Sequence, residues 1–127
     1  MNRFCILFLL LPFMIQAQSA SSIVEWDRTT IDLGTIKKGD QRADSFSFTN
    51  ISSEDVEIDI VSTCECTEAK WTQGGISPGE SGKIEFIFDS AAKDNEEPID
   101  IDVYFMNKDE RGDAYSTFLS YTFNWQK

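Results

Sequence analysis

Four stretches of this chain alternate apolar and polar residues with period two. Phe46 and Phe48 stand among Ser45, Ser47 and Thr49, and Val56, Ile58 and Ile60 alternate with Glu57 and Asp59. Ile84, Phe86 and Phe88 alternate with Glu85 and Ile87, and Ile99, Ile101, Val103 and Phe105 with Asp100, Asp102 and Tyr104. In extended backbone, residues two apart share a face, so each run predicts a strand with one side turned to a core. A fifth run, Thr117 to Trp125, is apolar on both faces, with Leu119, Tyr121, Phe123 and Trp125 against Phe118. It is expected centrally in a sheet or against another chain.

Turn-forming segments separate the runs: Lys38-Gly39-Asp40, Asn50 to Asp55, Gln73-Gly74-Gly75, Ser77-Pro78-Gly79-Glu80, Asp94 to Pro98 and Lys108 to Asp113. Glycine reaches positive φ and proline presets φ for such turns. Short strands joined without crossover helices give antiparallel sheets, and two of them closing on a shared core make a sandwich of about seven strands. No cysteine pair is spaced to link facing sheets as in antibody-type domains, so Ile, Val, Leu and Phe must supply the core.

The first residues read differently. Arg3 precedes an apolar run from Phe4 to Ile15, followed by the small and polar Gln16-Ala17-Gln18-Ser19-Ala20. About a dozen apolar residues suit a secretory signal, whereas a membrane-spanning helix needs about twenty. Residues 1–18 are therefore expected to be a signal peptide, cut between Gln18 and Ala20, and residues 19–127 a single domain. Cys5 lies too close to the start to accept a bacterial lipid anchor. Later apolar runs are all broken by charge or turn residues, so no stable membrane span is expected after cleavage, and the destination is the periplasm or the exterior.

With 11 basic and 22 acidic residues the chain carries a net charge of −11 and contains no histidine. Such a surface repels phosphate backbones, which argues against nucleic-acid binding. Without histidine, Ser-His-Asp and Cys-His catalysis are excluded, and the commonest zinc ligand is missing. Together with the small size, this predicts a protein that is not an enzyme and needs no cofactor.

Cys64 and Cys66, in Ser62-Thr63-Cys64-Glu65-Cys66-Thr67, are the most informative local feature. Strand parity, absent a bulge, puts both on the side of Ile58 and Ile60. In an extended strand their Cα atoms would stand roughly 6.6 to 6.8 Å apart, at the limit for a disulfide. An unstrained disulfide is then not expected, although a bend would bring the sulfurs together. Three readings stay open: buried or paired structural cysteines, a redox-active pair, or a soft-metal site such as Cu(I) on the two thiolates.

The order of motifs resembles a known family. Leu33-Gly34-Thr35-Ile36-Lys37-Lys38-Gly39, Phe46-Ser47-Phe48-Thr49-Asn50, Cys64-Glu65-Cys66-Thr67, Ser77-Pro78-Gly79-Glu80-Ser81-Gly82 and Phe88-Asp89-Ser90 follow one another as in the domain of unknown function fifteen seventy-three. The resemblance implies an exported bacterial protein and an immunoglobulin-like fold related to hydin and abnormal-spindle domains, with no established activity. The fold expected is thus an all-β, immunoglobulin-like antiparallel β-sandwich. Glu65 stands where the family usually has glycine, which makes a tight Cys-x-Cys ring less expected here than in relatives, and Ala91 to Asn95 replaces a glycine-containing stretch.

The remaining candidates read more simply. Asp94, Glu96, Glu97, Asp100 and Asp102 lack the frame of a calcium loop and read as a solvated acidic face. Lys108 to Asp113 reads as a hairpin tip, and Asn50-Ile51-Ser52 fits a glycosylation sequon but equally an ordinary turn. Trp26, Trp71, Tyr104, Tyr115 and Trp125 offer a possible ligand face, with Trp71 more naturally a core plug shielding the cysteines. The expected function is a non-enzymatic binding or assembly module of the cell envelope for a protein or glycan partner. The alternative is a thiol-redox or Cu(I)-handling protein centred on Cys64 and Cys66.

Overall fold

The computed structural model describes residues 22–127; the expected leader and its cleavage positions lie outside the described residues. Eight strands follow in order: β1 (Val24–Trp26), β2 (Thr30–Ile36), β3 (Gln41–Asn50), β4 (Ile58–Ser62), β5 (Thr67–Trp71), β6 (Ser81–Asp89), β7 (Ile99–Lys108) and β8 (Ala114–Trp125). One turn of 3-10 helix, Ser90–Ala92, follows β6. They form two four-stranded sheets, β1-β3-β6-β5 and β2-β8-β7-β4.

The alternating runs behave as the period requires. Phe46, Phe48, Ile84, Phe86 and Phe88 from the first sheet meet Ile101, Val103, Phe105, Leu119, Tyr121 and Phe123 from the second, all buried. Aromatic rings bridge the sheets: Phe86 and Tyr121 stack at 4.5 Å, and Phe88 meets Phe123 at 4.8 Å. β8 is central, between β2 and β7, as its two apolar faces predict.

Three details depart from the sequence reading. The strands number eight against an expected seven or so, and residues 24–36, where the sequence reading places no alternating run, supply two of them: β1 pairs with β3, and after a crossing at 27–29 β2 joins the other sheet. β2 runs parallel to β8, so that sheet is mixed rather than antiparallel. In β4 the register against β7 shifts between Ile58 and Ile60. That extra residue turns Ile60 outward, 53% exposed, while Ile58 stays buried, so the two do not share a face.

The family-like motifs meet in space. Asn50 closes β3 with its backbone paired to the Pro78-Gly79 turn, its N–H donating to the Glu80 carbonyl and its carbonyl accepting from Gly79 N–H. Its side chain is 1% exposed. Nδ2 donates to the carbonyls of Glu54 (2.7 Å) and Ile76 (2.8 Å), while Oδ1 accepts from Ser52 N–H and Oγ. The amide of the sequon is thus fully occupied inside the fold. The two glycines of this turn serve different needs. Gly79 sits at φ 82°, where side chains are strained. Gly82 has ordinary φ but no room, since a Cβ there would lie 2.5 Å from Phe48 Cζ and 2.6 Å from Ile76 Cδ1.

Candidate functional site

β4 is an edge of one sheet and β5 an edge of the other, and residues 63–66 carry the chain between them. Thr63 Oγ1 donates to the Asp100 carbonyl (2.9 Å), anchoring the start of the crossing on β7. The Thr67 N–H donates to the Cys64 carbonyl (3.1 Å), closing a turn, and the Asp89 N–H donates to the Cys66 carbonyl (2.8 Å), fixing the turn on β6.

This turn overturns the parity argument. The backbone leaves β4 at Ser62 and bends before Cys64 and Cys66, whose Cα atoms stand 5.2 Å apart and whose sulfurs are joined in a disulfide. No left-handed residue is required, since every positive-φ residue among those described is a glycine. Glu65 therefore occupies the family's glycine position in ordinary backbone, and the ring forms despite it. Nor do the two cysteines face the same way: Cys64 is exposed, while Cys66 is 3% exposed and belongs to the core. Bonded to each other, the sulfurs offer no thiolate to Cu(I), so the copper reading requires the reduced pair.

A disulfide across so short a loop removes little chain entropy, about 1.6 kcal/mol against about 3 kcal/mol for a fifteen-residue loop. The bond also ties nothing distant, because the turn already joins the two edges covalently.

Thr67, the first residue of β5, touches both sulfurs. Its Oγ1 lies 3.4 Å from Cys64 Sγ and 3.4 Å from Cys66 Sγ, and it is hydrogen-bonded to the Tyr121 hydroxyl from the opposite sheet. Sulfurs in a disulfide carry no hydrogen, so in these contacts the Thr67 hydroxyl is the donor, its single hydrogen shared between the two sulfurs, and its lone pairs accept from Tyr121. Burial pushes the Tyr121 hydroxyl up to about 12, and the Thr67 hydroxyl offsets part of that rise because it can turn to donate to the phenolate. Tyr121 therefore remains a donor throughout the physiological range. The sequence reading missed both residues. Thr67 had a signal, its place directly after the second cysteine; Tyr121 had none.

The raised Tyr121 value has a consequence for stability. The neutral form is favoured in the fold, so its contribution is complete below pH 10, the unfolded value, and is lost as pH rises through about 12. About two units correspond to roughly 3 kcal/mol. Urea unfolding of the parent and of Tyr121→Phe across this window should show a loss in the parent that the variant lacks; parallel curves would refute it.

Beside Cys64, an open cleft of about 300 Å³ is lined by Thr63, Lys93, Pro98 and Asp100 among others. The acidic residues nearby form no metal cage: among the described residues, no group of three or more ligating side chains could hold an ion. Among them, too, no helix is long and apolar enough to cross a membrane.

The aromatic candidates do not form one face. Trp26, Trp71, Tyr115 and Trp125 are half-buried against the core. Trp71 lies at the far end of β5 from Thr67, roughly 13 Å away at strand rise, and so does not shield the cysteines. Tyr104 points outward instead. On that outer face of the second sheet it lies opposite Ile60, while the neighbouring Phe118, opposite Asp102, is 68% exposed.

The family model described as a protein of unknown function, DUF1573, matches residues 24–116, from β1 into β8. The chain belongs to the DUF1573 family. No curated protein matches it in sequence. Among solved structures it is similar to the VesB protease of Vibrio cholerae, at 16% identity and TM-score 0.64, over 80% of this chain and 32% of that one. It is also similar to the human CEP192 ASH/PapD-like domain 7, at 13% identity and TM-score 0.63, over 84% and 87%. A protein of unknown function from Porphyromonas gingivalis W83 aligns at 17% identity and TM-score 0.64, over 85% and 50%. The chain thus spans about a third of the first and half of the third. These likenesses establish the DUF1573 fold as an immunoglobulin-like, PapD-like sandwich.

Proposed function

We propose that this DUF1573 chain is an exported, non-enzymatic binding module of the cell envelope that docks a basic, apolar-bearing protein segment on the outer face of its β2-β8-β7-β4 sheet. The observation that carries the reading is the outward-facing stripe of Ile60, Tyr104 and Phe118 across three adjacent strands, with Ile60 and Phe118 exposed and Tyr104 half-buried between them. Exposed aromatics dominate recognition hot spots, and a small domain gains nothing in its own fold from leaving a phenylalanine in water.

Charge selects the occupant. Asp32, Asp100 and Asp102 stand on the same face, and Lys108, at the end of β7, is the sole cation that these four strands contain. A segment bearing Lys or Arg beside apolar side chains complements this pattern. Export is supported by the charged start and short apolar run of the first eighteen residues. The absence of histidine and the shallow, open clefts favour binding over catalysis.

The test titrates a strand-length peptide alternating Lys with Leu into the isotopically labelled domain. Amide shifts are expected on β4, β7 and β8, weakened by salt and lost in the doubly substituted Tyr104→Ser, Phe118→Ser protein, with circular dichroism checking that the variant keeps its fold. Shifts mapping elsewhere, or a response to oligosaccharides but not to the peptide, would overturn the reading. Fractionation of cells expressing the full chain checks export.

A further inference from the structure

We propose that Cys64–Cys66 is a thiol–disulfide exchange site in which Cys64 is the sulfur attacked, Cys66 the leaving thiolate, and Thr67, backed by Tyr121, the donor that receives the leaving charge. The two sulfurs differ in the way exchange demands. Cys64 is exposed beside the cleft that Lys93 lines, whereas Cys66 is buried against the core. An incoming thiolate reaches only Cys64, and attack there expels Cys66.

The expelled sulfur does not enter a bare apolar pocket. Thr67 Oγ1 already lies 3.4 Å from Cys66 Sγ, and Tyr121 donates to Thr67 from behind. A hydroxyl whose lone pair accepts a hydrogen bond is a stronger donor, so the Tyr121–Thr67–Cys66 chain is poised for negative charge on sulfur. This disulfide ties no distant segments, so cross-linking alone does not account for its place in the turn.

The partner chemistry is a dithiol. Its first thiolate attacks Cys64 Sγ, the bonding pair leaves with Cys66 Sγ, and a mixed disulfide joins Cys64 to the partner. The partner's second thiolate then attacks the partner's own sulfur in that bond, and Cys64 leaves. The partner ends as a disulfide, and the protons its two thiols gave up are taken by Cys64 and Cys66.

The experiment uses the mature chain with dithiothreitol as the reductant, following thiol release by alkylation and mass shift while circular dichroism reports the fold. Reduction is expected with the native spectrum retained. Thr67→Val should slow it about tenfold, the loss of one donor to a developing thiolate, and Thr67→Ser should restore the rate. Tyr121→Phe, which acts one bond further away, should slow it about threefold, and it carries the test if Thr67→Val fails to fold. In single-cysteine proteins, Cys66→Ser should form a mixed disulfide with oxidised glutathione at least about tenfold faster than Cys64→Ser. Reduction only on unfolding, faster capture of Cys66 than of Cys64, or equal rates for Thr67→Val and parent would each overturn the assignment.

Discussion

Phe86→Ala is expected to cost about 3 to 5 kcal/mol, a large share of the roughly 5 to 15 kcal/mol that holds a domain folded. The ring is 1% exposed and lies between Phe46 in its own sheet, at 5.7 Å, and Tyr121 in the other, at 4.5 Å. Truncation would open a cavity between two sheets that the backbone ladders hold apart, so the site has little freedom to collapse. Denaturant unfolding with an unchanged slope measures the cost. Ile87→Ala, one residue along and facing outward, supplies the control and should fall within about 0.5 kcal/mol. A loss at Phe86 below about 1.5 kcal/mol would mean that the aromatic stack is not the centre of the sandwich. Tyr121 also loses its packing support in this variant, so the hydrogen bond to Thr67 should loosen with it.

Asn50→Asp, which changes one atom, is expected to cost about 3 kcal/mol or more at neutral pH. The Asn50 Nδ2 donates to two carbonyl oxygens at 2.7 and 2.8 Å, and an oxygen in its place would face both with like charge in a buried site. The introduced carboxyl is pushed above its unfolded value of about 4 by burial and by those carbonyls. Its penalty is therefore complete at pH above the raised folded value and shrinks as pH falls through it, because the protonated form can donate one of the two hydrogen bonds. Stability of variant and parent followed from neutral pH into acid should converge. Equal stability at neutral pH would refute the role given to the Asn50 amide.

The strands with uninterrupted alternation, β3, β6 and β7, were legible because burying one face of a sheet imprints period two on the sequence, and β8 was legible as an apolar run fit for a central place. β4 was misread at Ile60 because a bulge adds one residue and leaves no compositional mark. The same fault spread to the cysteines, since parity counts only while the strand lasts and β4 ends at Ser62. β1 and β2 escaped because the chain changes sheets between them. At the site, Cys64 and Cys66 stood out by spacing alone, but what surrounds them comes from elsewhere. Tyr121 arrives from the facing sheet, and which residues two packed sheets bring opposite one another is not written in any local pattern. The family-like motifs needed the fold to acquire meaning, as when Asn50 and the Pro78-Gly79 turn proved to be two halves of one hydrogen-bonded junction.

The parallel pairing of β2 with β8 bears on how the domain assembles. Ile31 lies opposite Tyr121, so an early strand cannot be laid down until the last one is available. Pairings that distant along the chain place a sandwich among the slow folders, in the range of milliseconds to seconds. During that wait the flank of β7 that β8 will cover stands unpaired, an invitation to strands of other molecules. Asp100 and Asp102 project from that strand, and charges so placed discourage intermolecular pairing until β8 docks. The acidity of this face would thus guard the nascent chain against aggregation before it serves the finished one.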